Sequence, residues 1–231
     1  MTILEAIEAR HSVRKYTARA IEPEIVATLR DCIDKCNSEA GLHIQLVTEE
    51  PEAFASGLLK YGAFSGVRNY LVMAGKKGRD VEEKIGYYGE KIVLFAQTLG
   101  LNSCWVGLTY KKIPGAFALA EGETVHCVIA LGYGENQGVQ HPLKPVEKFY
   151  ELASGQNGVA PQWFLDGMKA AMLAPTAINQ QKFKFILHPD STVEARALLS
   201  LAGYAAMDLG IVKCHFEAGA GADNFKWHHS S

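Results

Sequence analysis

The stretch ETVHCVIALGY (residues 123–133) is rich in apolar and β-branched residues, which predicts a buried strand. Two shorter apolar segments, His43–Val47 and Tyr70–Ala74, are also predicted to be strands. Between them and the 123–133 segment lies Asp80–Leu99, whose apolar residues recur at helical spacing up to a glycine, Gly100. The first part of the chain therefore combines long helices with strands of a buried sheet.

The ends of the chain extend this pattern of helices and strands. Residues 2–5 (TILE) have the form of a capping box, and Glu22-Pro23 is typical of a helix start. Later in the chain, the sequence predicts a helix over Pro161–Leu173, a strand over Phe183–His188 and a long helix over Thr192–Gly210. Because these elements do not form strict βαβ units, we expect an α+β fold with a mainly antiparallel sheet flanked by helices.

The composition of the chain excludes several functional classes. With 231 residues, 48% hydrophobic residues and a net charge of −2, the chain is typical of a globular protein and has no basic surplus for nucleic acid or an anionic membrane. It contains no apolar run of about 18 residues, and its N-terminus lacks the layout of a signal peptide. Five cysteines fit reduced thiols, so we expect a cytoplasmic protein. The histidine spacing predicts no metal site.

Two weak internal similarities suggest that the chain contains two related halves. AQTLGLNSCWV (96–106) resembles AMDLGIVKCHF (206–216) at a shift of 110 residues, and the helix-then-strand segment 29–47 resembles 168–187. We therefore predict a first half over residues 1–154 and a shorter second half over residues 155–231, sharing one core. Chance agreement between short apolar helices is the alternative.

A basic segment follows the first predicted helix. Residues 10–16 (RHSVRKY) include Arg10, His11, Ser12 and Arg14. Guanidinium groups and a hydroxyl suit phosphate oxygens, since charge-assisted hydrogen bonds match phosphate geometry. The alternative is a solvated basic helix C-terminus, which the helix dipole would stabilise.

A second segment with binding potential is APTAINQQ (174–181), in which Pro175 ends a helix and Thr176 follows. The amides of Asn179 and Gln181 offer donors and acceptors that could bind the edge of a heterocycle. A plain helix-to-strand connection built from common turn residues is the alternative.

The third segment is GLNSCWVG (100–107), which ends in Trp105, Val106 and Gly107. Glycine permits close approach of the backbone to a ligand, and tryptophan provides a flat apolar wall. A core strand preceded by a glycine helix cap would give the same pattern.

Taken together, the three segments resemble the FMN-dependent nitroreductase superfamily, and most closely its single-chain tandem branch, the TM nitroreductase group. The segment CHFEAGAG (214–221) is also similar to that group. The resemblance implies an α+β fold whose usual member is a homodimer with FMN at the subunit interface. In this chain the arginine motif occurs only in the first half and the Pro-Thr-x-x-Asn motif only in the second. The resemblance therefore implies one composite FMN site per chain, in a monomeric pseudo-dimer or a homodimer.

The resemblance also assigns roles to individual residues. Arg10, His11 and Ser12 would hold the phosphate and ribityl chain, and Arg14 would lie near the pyrimidine end of the flavin ring. The amides of Asn179 and Gln181 would bond the edge of the ring, and Pro175 and Thr176 would shape their loop. Backbone groups of Trp105, Val106 and Gly107 would approach the reactive nitrogen of the ring. Lys144 would be a second phosphate contact.

The implied activity is that of an FMN-dependent oxidoreductase. NADH or NADPH would reduce the flavin, and a small acceptor such as a nitroaromatic or a quinone would then replace it in a ping-pong mechanism. The flavin carries this chemistry, so no catalytic side chain is predicted. A flavin-binding carrier or sensor without turnover is the alternative. The segment between Val47 and Tyr70, where a lid could lie, suggests no substrate.

Overall fold

The computed structural model describes residues 1–55, 64–155, 158–200 and 203–228 and contains two four-stranded sheets. The predicted lid segment therefore lies partly outside the described residues. The first sheet has the order β1-β2-β4-β3, and all of its strand pairs are antiparallel. Its strands are β1 (Gln45–Val47), β2 (Asn69–Lys76), β3 (Asn102–Val106) and β4 (Glu123–Gly132).

The centre of the first sheet is the β2–β4 pair, in which Leu71 lies opposite Ile129. Every residue of β2 except Lys76 is buried, as expected for a strand covered on both faces. The predicted strand over residues 123–133 is confirmed almost to its ends. The strand expected at His43–Val47 is shorter than predicted and begins at Gln45.

The second sheet has the order β5-β6-β7-β8 and mixes parallel with antiparallel pairs. Its strands are β5 (Tyr150–Leu152), β6 (Phe183–Leu187), β7 (Thr192–Ala197) and β8 (Lys226–Trp227). The predicted helix over Thr192–Gly210 is therefore wrong in its first part. Asp190 accepts hydrogen bonds from the backbone and hydroxyl of Thr192, closing a turn that pairs the following residues with β6.

Five α-helices occur in the described part of the chain: α1 (Ile3–Ala9), α2 (Pro23–Ala40), α3 (Arg79–Thr98), α4 (Gln162–Met172) and α5 (Ala205–Ala220). The predicted capping box is confirmed, since Thr2 Oγ1 accepts from the Glu5 backbone and Glu5 accepts from the Thr2 backbone. None of these helices is long and apolar enough to cross a membrane. All five cysteines are free thiols.

Helices α3 and α5 join the two halves of the chain through a close backbone contact. A Cβ atom at Gly86 would lie 2.0 Å from the Met207 carbonyl oxygen, and one at Gly210 would lie 1.9 Å from the Glu83 carbonyl oxygen. Only glycine allows the helices to approach this closely. One buried apolar cluster contains residues of both halves, among them Ile92 on α3.

The structure contradicts one of the two repeat alignments. The shift of 110 residues places β3 (Asn102–Val106) on residues inside α5 and is therefore wrong. The other alignment, 29–47 on 168–187, pairs a helix-then-strand unit with a second one, α2–β1 with α4–β6.

Candidate functional site

A cavity of about 790 Å³ lies between the two halves. It is lined by the segment after α1, the end of β3, the loop after α4 and the start of α5. Ten of the twelve residues predicted for the site lie on its wall: Arg10, His11, Ser12, Arg14, Trp105, Val106, Gly107, Pro175, Thr176 and Asn179. The fold thus brings together three segments that are far apart in the sequence.

The other two predicted residues, Lys144 and Gln181, are not among the described residues that line the cavity. Lys144 is exposed in the loop before β5, where His141 contributes to the wall instead. The Gln181 side chain is buried, and its backbone N–H donates to Thr176 Oγ1 at 3.0 Å. This backbone bond closes the loop, while both polar atoms of the buried Gln181 amide lack a hydrogen-bond partner among the described residues.

The arginine motif is fixed to the first sheet immediately after α1 ends. The Arg10 N–H donates to the Ala6 carbonyl, and the Val13 N–H donates to the Ser103 carbonyl at 3.0 Å, which lays the segment along β3. Arg10 is only 3% exposed, so it does not belong to a solvated helix end. Its Nε and Nη1 atoms are buried and have no hydrogen-bond partner among the described residues.

A fully buried carboxylate, Glu90 on α3, lies beneath this wall. It accepts from Trp105 Nε1 at 2.8 Å, contacts His215 Nε2 at 2.8 Å and lies 3.6 Å from Arg10 Nε. Burial alone would raise the pKa of Glu90, but the hydrogen bond with His215 and the charges of His215 and Arg10 outweigh it and lower the pKa. Since a carbonyl only accepts, His215 Nδ1 donates to Ala170 at 3.1 Å.

The loop after α4 has an unusual backbone. Ile178, Asn179 and Gln181 have φ angles of 49°, 53° and 50°, in the left-handed region. Asn179 Oδ1 is buried without a hydrogen-bond partner among the described residues. Such a conformation is uncommon outside glycine and occurs often at functional sites.

The end of β3 packs against the start of α5. A Cβ atom at Gly107 would lie 2.4 Å from the Tyr204 hydroxyl oxygen, so a larger residue at this position would displace the tyrosine side chain. Tyr204 and Asp208, both contributed by the second half, line the cavity as well. Neither residue belongs to a motif, so no sequence signal identified them.

The profile of a family described as "Putative TM nitroreductase" matches residues 2–220. The chain belongs to this nitroreductase family. No curated protein matches it.

Solved structures show the same fold at low sequence identity. A putative nitroreductase from Thermotoga maritima MSB8 is 21% identical, with a TM-score of 0.66 over 100% of this chain and 90% of that chain. A putative nitroreductase from Desulfovibrio desulfuricans, in complex with FMN, is 17% identical, with a TM-score of 0.51 over 64% of this chain and 94% of that chain. A putative NADH dehydrogenase/NAD(P)H nitroreductase from Parabacteroides distasonis is 20% identical, with a TM-score of 0.50 over 68% and 98%.

This nitroreductase-family chain also has one group of potential metal ligands in its described part, on the second sheet: His188, Glu194 and His228. Both Glu194 oxygens already accept from Arg196, at 2.6 and 2.9 Å. The Arg196 guanidinium therefore competes with any metal ion for this carboxylate. The expectation that the protein holds no metal stays a prediction.

Proposed function

We propose that this chain binds FMN in the cavity between its halves and uses it as an oxidoreductase. The observation that carries the proposal is the meeting, in one cavity, of the basic segment from residue 10 to 14 with the loop from residue 175 to 179. The first comes from one half of the chain and the second from the other.

The residues present fit a flavin nucleotide. The cavity volume of about 790 Å³ falls in the range of cofactor sites. Arg10 Nε and Nη1 and Asn179 Oδ1 are buried and lack hydrogen-bond partners among the described residues, although Arg10 Nε lies 3.6 Å from the Glu90 carboxylate, and buried polar groups are normally hydrogen-bonded. A phosphate group and a heterocycle edge would supply the acceptors and donor that they need.

The roles that we propose for the residues on this wall are those implied by the resemblance to the nitroreductase superfamily, and the chemistry of the side chains is compatible with them. Arg10 and Ser12 would hold the phosphate and ribityl chain, and Arg14 would supply positive charge near the pyrimidine end of the ring. Burial and the nearby Arg10 lower the pKa of His11, so His11 serves as a neutral hydrogen-bonding group. Asn179 would bond the ring edge. Pro175 and Thr176 shape that loop.

When bound, FMN supplies the hydride chemistry, accepting electrons from a nicotinamide and passing them to a second substrate. The chain binds and orients the flavin, and Trp105, Val106 and Gly107 form a wall beside it. We propose NADH or NADPH as the reductant and a nitroaromatic, quinone or similar small molecule as the acceptor. The names of the Parabacteroides and Desulfovibrio proteins support this reading.

Because the arginine motif and the flavin loop each occur once, we propose one FMN per chain, shared by a half over residues 1–154 and a shorter half over residues 155–231. Dialysed protein titrated with FMN should saturate at one flavin per chain. Two flavins per chain would contradict the composite site.

Visible spectroscopy tests the proposal directly. Purified protein should show flavin absorbance or gain it on incubation with FMN, and anaerobic NADH or NADPH should bleach it within seconds. Protein that takes up no FMN would refute the proposal. Bound FMN that neither nucleotide reduces would instead indicate a flavin-binding carrier or sensor.

A further inference from the structure

The loop after α4 holds a conformation that its own residues do not favour. Ile178 is β-branched and 80% exposed, yet its φ is 49°, and Asn179 and Gln181 share the left-handed region. A β-branched residue in this region is a genuine outlier. Strain of this kind persists only where surrounding groups fix the backbone.

One carboxylate fixes this loop from the second half's long helix. Asp208 on α5 accepts from the Ala177 backbone N–H at 3.0 and 3.2 Å and from Gln180 Nε2 at 2.8 Å. The other end of the Gln180 amide accepts from the Ser200 hydroxyl at 2.6 Å. These bonds attach the loop on both sides of the left-handed residues Ile178 and Asn179.

We propose that Asp208 is a positioning residue of the FMN site, holding the strained loop so that the Asn179 amide lies on the cavity wall. This inference rests on the proposed function. Asp208 is 4% exposed and lines the same cavity as Asn179. Burial raises the pKa of Asp208 to about 6, so at neutral pH it is a carboxylate able to accept every one of these bonds.

The hydrogen bond pairs an acceptor at position 208 with a donor at position 180, so the proposal can be tested by exchange. In Asp208→Asn, one amide oxygen replaces two acceptors and the charge is lost. The new NH₂ group faces the NH₂ group of Gln180, whose amide must turn over and donate to Ser200 to keep a bond. In Gln180→Glu, two carboxylates face each other. In the double variant, the amide NH₂ group introduced at position 208 donates to the carboxylate introduced at position 180. That carboxylate accepts from the Ser200 hydroxyl, and the amide oxygen at position 208 accepts from the Ala177 N–H.

The experiment measures FMN affinity by quenching of flavin fluorescence, and the melting temperature without FMN, for the native chain and these three variants. Asp208→Asn should weaken FMN binding roughly tenfold or more, as expected for loss of bonds to a charged group. The double variant should return to within roughly threefold of the native affinity. Recovery of this kind would not follow if Asp208 served only to stabilise the helix.

Asp166→Asn is the matched control. Asp166 on α4 also accepts from a glutamine, Gln162 Nε2, at 2.8 Å, but it is exposed and is not among the residues of the cavity wall. Its FMN affinity should be unchanged. Should Asp208→Asn fail to fold, Gln180→Ala, which removes only the partly exposed partner, should still weaken FMN binding several-fold.

Native affinity in Asp208→Asn overturns the inference, as does native affinity in Gln180→Ala where Asp208→Asn cannot be made. A double variant as weak as the single ones also overturns it. A native chain that binds no FMN overturns the proposed function instead, so the two failures are distinguishable.

Discussion

The two halves of the chain use similar elements for different purposes. The first half builds an antiparallel sheet whose central strands have eight and ten residues, whereas the strands of the second sheet have between two and six. The first half contributes the buried Arg10, and the second contributes a strained loop. The cavity is therefore lined by features that the two parts of the chain do not share.

The order of elements is nevertheless parallel. The series α2-β1-β2-α3-β3 of the first half has a counterpart in α4-β6-β7-α5-β8 of the second. This correspondence pairs α3 with α5, the helices that carry the contacting glycines Gly86 and Gly210. We propose that the halves arose by duplication and later diverged, so that the arginine segment is present only in the first half and the strained loop only in the second.

Among these variants, Glu90→Ala should lower the free energy of unfolding the most, because Glu90 connects the two halves. The change leaves Arg10 without its buried counter-charge and leaves His215 and the Trp105 indole N–H without their buried hydrogen-bond partner. Loss of one partner in a buried ion pair costs about 3–5 kcal/mol, so the free energy of unfolding should fall by that amount in urea denaturation. Glu90→Gln keeps the shape and one acceptor but also removes the charge. A loss close to that of Glu90→Ala would assign the effect to the charge, and native stability in Glu90→Gln would contradict this role of the charge.

The next effect concerns the cationic contribution of the first half. Arg14 lines the cavity, whereas Lys144 is exposed outside its described wall. Arg14→Ala should weaken FMN binding by about 1.5–3 kcal/mol, or roughly tenfold or more, since a charge-assisted contact is lost. Lys144→Ala is the matched control and should bind FMN like the native chain. Equilibrium titration measures both, and equal losses would place Lys144 in the site after all.

The glycine contact between α3 and α5 should give a somewhat smaller effect. Gly86→Ala or Gly210→Ala places a methyl group within about 2 Å of a backbone carbonyl oxygen. Overpacking of this kind costs roughly 1–3 kcal/mol. Gly75→Ala is the control because its nearest neighbour is a side-chain atom of Val81 at 3.0 Å. Denaturant unfolding compares the three variants. If Gly75→Ala is as unstable as the other two, the close α3–α5 backbone contact is not what makes those glycines necessary.

The smallest predicted effect is a difference in the sign of two pH dependences. Burial raises the pKa of Asp208 to about 6, above its unfolded value, so ionisation of Asp208 costs the folded state free energy. The chain therefore loses stability as the pH rises from about 4 to 7, although the carboxylate keeps its hydrogen bonds to the loop. Hydrogen bonds from Tyr133 and Arg19 lower the pKa of Glu22 to about 2, so its contribution is present above pH 4.5 and is lost on acidification.

Unfolding free energies at several pH values, native minus variant, measure each contribution. For Asp208→Asn, the difference should fall on the order of 1–2 kcal/mol as the pH rises from 4 to 7. For Glu22→Gln, it should fall as the pH drops from 4.5 to 2. The same direction for both residues would show that burial does not govern Asp208.

Sequence patterns predict those elements whose conformation is set by residues close to one another in the chain. The capping box at Thr2 sets the start of α1, and apolar spacing alone defines α3. The sequence predicts a helix where β7 lies, because the conformation of β7 is set by its pairing with β6 across a turn and not by its own residues. A helix-like spacing of apolar residues there was overridden by tertiary contact.

The site shows the same division. The motif residues around Arg10 and Asn179, which line the cavity, can be picked out from the sequence because they lie in short recognisable segments. Glu90, Tyr204 and Asp208 were missed because their significance depends on neighbours that are distant in the sequence, which no local pattern records. The resemblance assigns Lys144 from its place after the last strand of the first sheet. Lys144 is not among the described residues that line the cavity, although His141 of the same loop is.

The buried Glu90 has a consequence for anyone who recombines such proteins. It lies on α3 in the first half, whereas its partner His215 lies on α5 in the second, and the same carboxylate faces Arg10 at the cavity wall. A chimera joined near residue 155 would inherit these charges from different parents. Only parents that both keep an acid and a base at these two positions can exchange halves without leaving an unbalanced charge in the core.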